Sequence, residues 1–242
     1  MKLLYEKNFF IHTSFVDRYD YIRPFAIWEL FQAVAGNHAD SIGVGFNDVV
    51  KKSVLWVVQF EKFNIVGSIP KYADTVKVQT WPHKKERIEF VREYAIYNEK
   101  NELAITGISS WFLVNKDTHK ITRGDEVEFN GEFYENTNYP NYKREKLNLV
   151  PNSDIKRFTY QIKLTDLDHN GHTNNAKYFD MVYNLGITKC SDIKGGAISF
   201  IREALLDEII YIDYFKNSDN NDCYKGYNKN NEAVFEILLE VI

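Results

Sequence analysis

The sequence has little that could hold it together covalently or carry it across a membrane. Its 242 residues include two cysteines, Cys190 and Cys223, which form no C-x-x-C motif. We therefore expect no disulfide framework, and a reducing, cytoplasmic compartment is the simplest interpretation. No apolar run approaches the ~18 residues that a membrane helix requires, so we expect no membrane span. The opening residues, MKLLYEKNFFIHTSF, also lack the long apolar segment and cleavage site of a signal peptide.

An excess of positive charge is also absent. Thirty lysines and arginines against 34 aspartates and glutamates give a formal net charge of −4, which argues against a nucleic-acid partner. The chain is 44% hydrophobic and 26% charged, a globular composition that excludes disorder over most of its length. Aromatic residues make up 15% of it, and such large rigid rings suit strands and apolar pockets.

Hydrophobic periodicity predicts an α+β protein in which one order of elements occurs twice. A helix and a set of strands come first, and a polar segment ends this part of the pattern. A strand, a second helix and further strands come after the polar segment. The predicted helices cover residues 25–42 and 175–187, and the predicted strands cover 53–63, 74–81, 87–98, 102–114, 157–164, 197–203, 208–215, 223–228 and 233–241.

The repeated order predicts an internal duplication. A shift of 150 positions places residues 16–28 over residues 166–178, with slight identity. We therefore predict a first domain over residues 1–123, a linker over 124–156 and a second domain over 157–242.

A polar cluster stands immediately before the second predicted helix. The ten residues from Asp166 to Asn175 contain two aspartates, two histidines and three asparagines. Read as a calcium loop from Asp166, the segment places Lys177 where position twelve needs a bidentate glutamate. Read as a zinc site, it offers His169 and His172 but no HExxH motif and no obvious third histidine.

A metal-free hydrolytic site fits these residue types better. Asparagine and histidine side chains, together with the N–H groups at a helix start, can stabilise an oxyanion, and a base can activate water. The alternative is a capped helix with a solvated loop, in which Asn174 or Asn175 is the N-cap. Capping explains one asparagine and leaves the rest of the cluster unexplained.

The segment DLDHNGHTNNAKY at residues 166–178 resembles the catalytic segment of the acyl-acyl carrier protein (ACP) thioesterases, where D-x-D-x-N-x-H-x-N-N precedes a helix. FIREA at 200–204 resembles that family's Y-R-R-E-C segment, and TWP at 80–82 and SSWFLVN at 109–115 resemble segments of its first half. The resemblance implies a tandem double hotdog, in which each half is an antiparallel sheet wrapped around a long central helix. It also implies hydrolysis of fatty acyl-ACP thioesters without a metal or organic cofactor.

Carried over position by position, the family's aspartate, asparagine and histidine fall on Asp168, Asn170 and His172, and its glutamate falls on Glu203. Its cysteine falls on Ala204, which favours attack by activated water over an acyl-enzyme. We expect Glu203, with His172, to activate the water. We expect Asn170 and a helix-start N–H to hold the carbonyl, and Asp168 to fix Asn170 or the loop backbone.

An acyl chain needs a dry pocket, which the resemblance implies between the first helix and its sheet. The candidate lining residues are aromatic: Trp28, Phe31, Trp56, Trp81 and Trp111. The acyl-phosphopantetheine would arrive on an acidic acyl carrier protein, so its docking face should be basic, and the candidates are Lys84, Lys85 and Arg87.

The resemblance leaves three alternatives open. An acyl-CoA thioesterase or a hotdog dehydratase would share the fold with a different substrate. A catalytically silent acyl-binding protein would retain the fold without the reaction, although the complete set of Asn170, His172 and Glu203 speaks against it. We expect a monomer or a homodimer, and the preferred chain length is left open.

Overall fold

The computed structural model of the protein describes residues 2–144, 146–147 and 149–242. Its α-helices are α1 (Pro24–Ser41), α2 (Phe46–Val50) and α3 (Asn175–Tyr183). Its strands are β1 (Tyr5–Phe10), β2 (Val54–Ile65), β3 (Thr75–Pro82), β4 (Phe90–Tyr97), β5 (Leu103–Asn115), β6 (Lys156–Gln161), β7 (Ile193–Phe200), β8 (Ile209–Lys216), β9 (Asp222–Tyr227) and β10 (Ala233–Val241).

Contacts divide the chain into two units. The first comprises Met1–His12 and Glu29–Arg144, and the second comprises Thr13–Trp28 and Glu145–Ile242. The α+β class predicted from periodicity is confirmed, because each unit contains an antiparallel sheet and a helix. The sequence boundaries expected at residues 123 and 157 stay a prediction.

In the first unit the strands lie in the order β1-β3-β4-β5-β2, and every neighbouring pair is antiparallel. Helix α1 packs on one face of this sheet. The ring of Phe31 stacks on Tyr94 of β4 with 4.5 Å between centroids. Beside it, a Cβ atom on Gly107 of β5 would lie 2.4 Å from the Phe31 ring. Glycine is therefore required there for the helix to approach the sheet so closely.

The polar segment after β5 covers the opposite face of the same sheet. Tyr134 packs edge-on against Trp81 of β3 at 5.3 Å, and the hydroxyl of Tyr139 lies 3.0 Å from that of Thr106. The buried carboxylate of Glu93 accepts hydrogen bonds from the backbone N–H of Asn138, at 2.8 Å, and from the hydroxyl of Thr137. The segment predicted as a linker thus packs against the sheet through specific polar contacts.

In the second unit the strands lie in the order β7-β10-β9-β8-β6, again with antiparallel pairing. Helix α3 begins where Asn174 caps it, with its side-chain oxygen accepting from the N–H of Ala176 at 2.9 Å. Its buried Tyr178 packs edge-on against Phe235 at 5.3 Å. The helix ends at Tyr183, earlier than predicted, and Gly186 with a φ of +70° follows in a turn.

Candidate active site

Asp168 shapes the loop that enters α3. Its Oδ1 accepts the backbone N–H of Asn170 at 2.8 Å and that of His172 at 3.2 Å. Its own N–H donates to the carbonyl of His172 at 2.8 Å, and Gly171 closes the turn with a φ of +80°. Side chains of this kind commonly bond the backbone two or more residues further on. Asp168 therefore fixes the backbone that carries Asn170 and His172.

Asp166 anchors the start of the same loop and is not part of the exposed site. Its buried carboxylate accepts from the hydroxyl of Tyr160 at 2.9 Å and from the N–H of Lys163 at 2.8 Å. Its carbonyl accepts the N–H of Asn174 at 2.8 Å. Burial, with the bond to Asp166, raises the pKa of Tyr160, so its hydroxyl keeps its proton and remains a donor.

The loop brings His172 to Glu203. The Nε2 of His172 lies 3.3 Å from Oε2 of Glu203, and the two side chains are 40% and 62% exposed. Glu203 stands beyond the end of β7 at Phe200, whereas the sequence predicted a strand through it. Thr173 holds the two segments together, since its N–H and its hydroxyl donate to the carbonyl of Ala204 at 3.0 and 2.8 Å. Sequence reasoning missed this role of Thr173.

The two cysteines are buried and not disulfide-bonded. Burial raises the pKa of the Cys190 thiol to about 12 and that of Cys223 to about 11. A thiol with such a pKa is almost fully protonated near neutrality and is a poor nucleophile. The family's cysteine position holds Ala204, which is buried. These side chains are consistent with water as the attacking group.

A second loop of the same design precedes α1. Oδ1 of Asp17 accepts the N–H of Tyr19 at 2.9 Å and that of Tyr21 at 3.0 Å, and the N–H of Asp17 donates to the carbonyl of Tyr21 at 2.8 Å. Asp20, with a φ of +68°, stands where Gly171 stands in the other loop. Asp168 follows Asp17 by 151 positions, so the structural correspondence is one residue longer than the shift of 150 used for the sequence.

The loop before α1 therefore has tyrosines where the loop before α3 has Asn170 and His172. A tyrosine offers neither the amide nor the imidazole that the candidate chemistry needs. The polar groups that could act on a thioester are thus a feature of the loop before α3.

The candidate pocket aromatics do not share one face. Phe31 lies between α1 and the sheet, and the same sheet face carries Trp111, whose indole N–H donates to the hydroxyl of Ser109 at 2.7 Å. Trp56 packs edge-on against Phe90 at 4.9 Å.

Two other candidates lie elsewhere. Trp81 pairs with Glu93 and lies under Tyr134 on the opposite face, so its assignment to a pocket beneath α1 is wrong. The alternation of side chains along a strand is the cause. Trp28 belongs to the second unit, where it stacks on Phe179 at 6.3 Å.

The candidate docking cations differ in their surroundings. Lys85 donates to the carboxylate of Asp125 at 3.0 Å and to the carbonyl of Arg123 at 3.2 Å, so its charge is locally balanced. Lys84 and Arg87 are exposed. Lys84 also lines a cavity of about 740 Å³ in the first unit. Of the three candidate cations, Lys84 and Arg87 are the exposed ones, and the ammonium of Lys84 lies 6.0 Å from the centroid of the Phe133 ring.

Over residues 2–144, 146–147 and 149–242, no group of three histidines, cysteines or acidic residues is placed to hold a metal ion. Over the same residues, no helix is both long enough and apolar enough to span a membrane.

A helix against an antiparallel sheet in each of two units, with the same loop before α1 and α3, defines a double-hotdog protein. The structure superimposes on an acyl-ACP thioesterase from Bacteroides thetaiotaomicron with a TM-score of 0.83 and 18% identity, covering 98% of this chain and 96% of that one. The 12:0-ACP thioesterase from Umbellularia californica gives a TM-score of 0.80 and 20% identity, covering 98% of this chain and 96% of that one.

The chain belongs to the acyl-ACP thioesterase family. The family's N-terminal domain model matches residues 2–128 and its C-terminal domain model matches residues 150–237. A chloroplastic palmitoyl-acyl carrier protein thioesterase from Gossypium hirsutum is 26% identical over 227 residues, which is 86% of this chain and 54% of that protein. The chain thus spans about half the length of the curated relatives it matches.

Proposed function

We propose that this protein hydrolyses the thioester of fatty acyl chains on acyl carrier protein, which releases a free fatty acid and holo-ACP and terminates fatty acid synthesis. The observation that carries the proposal is the contact between His172 and Glu203, 3.3 Å apart beside a loop that presents Asn170. Family membership supplies the substrate class, since the matching models and relatives bear acyl-ACP thioesterase names.

In the proposed reaction, Glu203 and His172 orient a water molecule and take its proton as its oxygen attacks the thioester carbonyl. Asn170 and an N–H at the start of α3 hold the oxyanion that develops on the carbonyl oxygen. Collapse of this intermediate breaks the carbon–sulfur bond, and the departing thiolate receives a proton. Because a thiolate leaves readily, one activated water suffices and no acyl-enzyme is needed.

Asp168 is a positioning residue in this scheme. Its carboxylate accepts the backbone N–H groups of Asn170 and His172, so it fixes the position of the backbone from which their side chains project. A misplacement of such groups by 1 Å can reduce a rate by about a hundredfold. Its contribution is therefore geometric, and it does not exchange protons with the substrate.

The acyl chain is proposed to bind in the interior of the first unit, between α1 and the sheet. Phe31, Trp56 and Trp111 are the proposed lining residues, because aromatic side chains on this face would give the chain an apolar surface. Trp28 and Trp81 are left out of this proposal because of where they lie.

The test of the reaction is hydrolysis of acyl-ACP and acyl-CoA thioesters of several chain lengths by purified variants. Asn170→Ala and His172→Ala should each lower kcat by about a hundredfold, the usual effect of losing one oxyanion or acid–base group. His169→Ala is the matched control, since it removes an exposed imidazole from the same loop and should leave kcat unchanged. If Asn170→Ala and His172→Ala retain near-native rates, the proposal is wrong.

The same assay separates the alternatives. Faster turnover of coenzyme A thioesters would identify an acyl-CoA thioesterase, hydration or dehydration without hydrolysis would identify a dehydratase, and binding without turnover would identify a silent binding protein. We also propose a cytoplasmic location, which two buried cysteines without a disulfide support.

The acyl carrier protein is proposed to dock at the exposed cations Lys84 and Arg87, with Lys85 beside them. Charge reversal at Lys84 and Lys85 should raise KM for acyl-ACP but not for a small acyl thioester, because only the carrier protein would meet the altered surface. The single variant Lys84→Glu should produce most of the effect, since Lys85 already has Asp125 as a partner. Equal effects on both substrates would refute docking at this edge.

A further inference from the structure

A row of polar side chains crosses the interior of the first unit. Glu61 of β2 pairs directly with Ser109 of β5, and Ser109 pairs with Arg92 of β4. Directly opposite residues on neighbouring strands point to the same face of a sheet. This is the face on which Phe31 of α1 stacks on Tyr94. The row therefore lies where the acyl chain is proposed to bind.

The other two members of this row, Arg92 and Ser109, have hydrogen-bond partners outside it. The guanidinium of Arg92 contacts Nδ1 of His38 at 3.0 Å and donates to the hydroxyl of Thr80 at 3.2 Å. The hydroxyls of Tyr94 and Ser109 lie 2.9 Å apart. These bonds give Arg92 and Ser109 polar partners within the first unit.

Glu61 is the exception. Its side chain is 1% exposed, and neither carboxyl oxygen has a hydrogen-bond partner among the residues that the structure describes. Burial raises the pKa of this carboxyl well above its ordinary value, which favours its neutral form. A neutral carboxyl has one O–H to donate and one oxygen to accept with. Buried polar groups almost always have partners, so an unpaired one in a binding region calls for a ligand as its explanation.

We propose that Glu61 is a specificity-determining residue that hydrogen-bonds a hydroxyl group on the acyl chain, so that hydroxylated chains are preferred over plain hydrocarbon chains. A hydroxyl is the matching ligand because it also both donates and accepts. A chain without one would leave Glu61 unpaired in the complex, and sites built for a hydroxyl discriminate strongly against analogues that lack it. This inference rests on the proposed function, which places the acyl chain in this interior.

The experiment compares thioesters of one chain length that differ by a single hydroxyl group, placed in turn at each carbon along the chain. The wild-type protein should prefer one hydroxylated isomer over the plain chain by about tenfold in kcat/KM, the worth of one good buried hydrogen bond. Glu61→Met should remove this preference, since methionine has a similar length and no strong hydrogen-bonding group. Glu61→Gln should retain part of it, because an amide both donates and accepts.

Phe63→Leu is the control for general damage to this interior. Phe63 is buried two residues further along β2, on the same face as Glu61. The control should lower Tm and leave the preference intact, whereas Glu61→Met should remove the preference with no loss of Tm. A Glu61→Met variant that changes Tm and keeps the wild-type preference would show a purely structural carboxyl and overturn the inference.

Calorimetric titration with the free hydroxylated and plain fatty acids separates this inference from the proposed function. Tighter binding of a hydroxylated acid by the wild type, lost in Glu61→Met, supports the inference even if no thioester is hydrolysed. Hydrolysis of thioesters together with equal binding of the two acids overturns the inference alone and leaves the proposed function in place.

Discussion

The paired loops before α1 and α3 allow the role of Asp168 to be tested against a built-in control. Asp17 and Asp168 are both half-buried, and each accepts two backbone N–H groups through Oδ1. The substitutions Asp17→Ala and Asp168→Ala therefore remove equivalent bonds from equivalent turns. The loops differ in the residues they carry. The loop of Asp17 has two tyrosines, whereas the loop of Asp168 has Asn170 and His172 at the equivalent positions.

The expected loss of stability is similar for both variants. Two bonds to a half-exposed carboxylate contribute about 2 kcal/mol in all, which corresponds to a fall in Tm of about 4–8 °C for a chain of this size. Asp17 also interacts with the thiol of Cys190, so its variant should be at least as destabilised. Thermal unfolding followed by circular dichroism measures this effect.

The effect on the reaction should differ sharply between the two. At 25 °C, Asp168→Ala should lower kcat at least tenfold because Asn170 and His172 lose their support, whereas Asp17→Ala should keep the wild-type kcat. Asp168→Asn should recover most of the rate, since the amide oxygen can accept both N–H groups without a charge. An Asp168→Asn variant as slow as Asp168→Ala would show that the negative charge itself takes part and would refute a positioning role.

Three further predictions follow from buried groups. Burial and the nearby Arg92 lower the pKa of His38 to about 4, so between pH 6.5 and pH 4 the unfolded chain binds a proton that the native chain does not. The free energy of unfolding should therefore decrease as the pH falls from 6.5 to 4, by up to about 3 kcal/mol. The difference in free energy of urea unfolding between wild type and His38→Gln should change over this range. A difference independent of pH would contradict the assignment. Gly107→Ala should destabilise the first unit by about 1–3 kcal/mol because its Cβ would meet Phe31, and an unchanged Tm would contradict the packing described. Cys190 and Cys223 should resist alkylation at pH 7.5 until the protein unfolds, since burial keeps both thiols protonated; rapid labelling of the native protein, measured by mass spectrometry, would be the contrary result.

Features that depend on local pattern were predictable from the sequence. Helical spacing over residues 25–42 corresponds to α1 at Pro24–Ser41, and the strand expected at 233–241 is β10. The polar motif before α3 and the resemblance at residues 200–204 predicted that His172 and Glu203 would act together, and the structure places them in contact. Strand β1 and the short helix α2 were missed, since neither has a long periodic pattern.

Features that depend on strand register were not predictable. Trp81 is an apolar residue in a clear strand, but a shift of one residue decides which face it occupies, and it lies away from α1. The row formed by Glu61, Ser109 and Arg92 joins three strands, so it exists only once both pairings between them are fixed. From the sequence, Lys85 was predicted to be a docking cation on the surface. In the structure its ammonium donates to Asp125, which lies in the segment after β5 and is distant in sequence.

The two loops also indicate where chemistry and stability separate in this fold. The aspartate, the positive-φ residue and the backbone bonds are the same before α1 and before α3, so this turn folds with tyrosines as well as with Asn170 and His172. The side chains of Asn170 and His172 are therefore not needed for the turn itself. Substitutions at these two positions should remove activity at little cost in stability, whereas substitutions of Asp168 should affect both. A site built in this way can gain or lose a reaction through two side chains while its backbone stays unchanged.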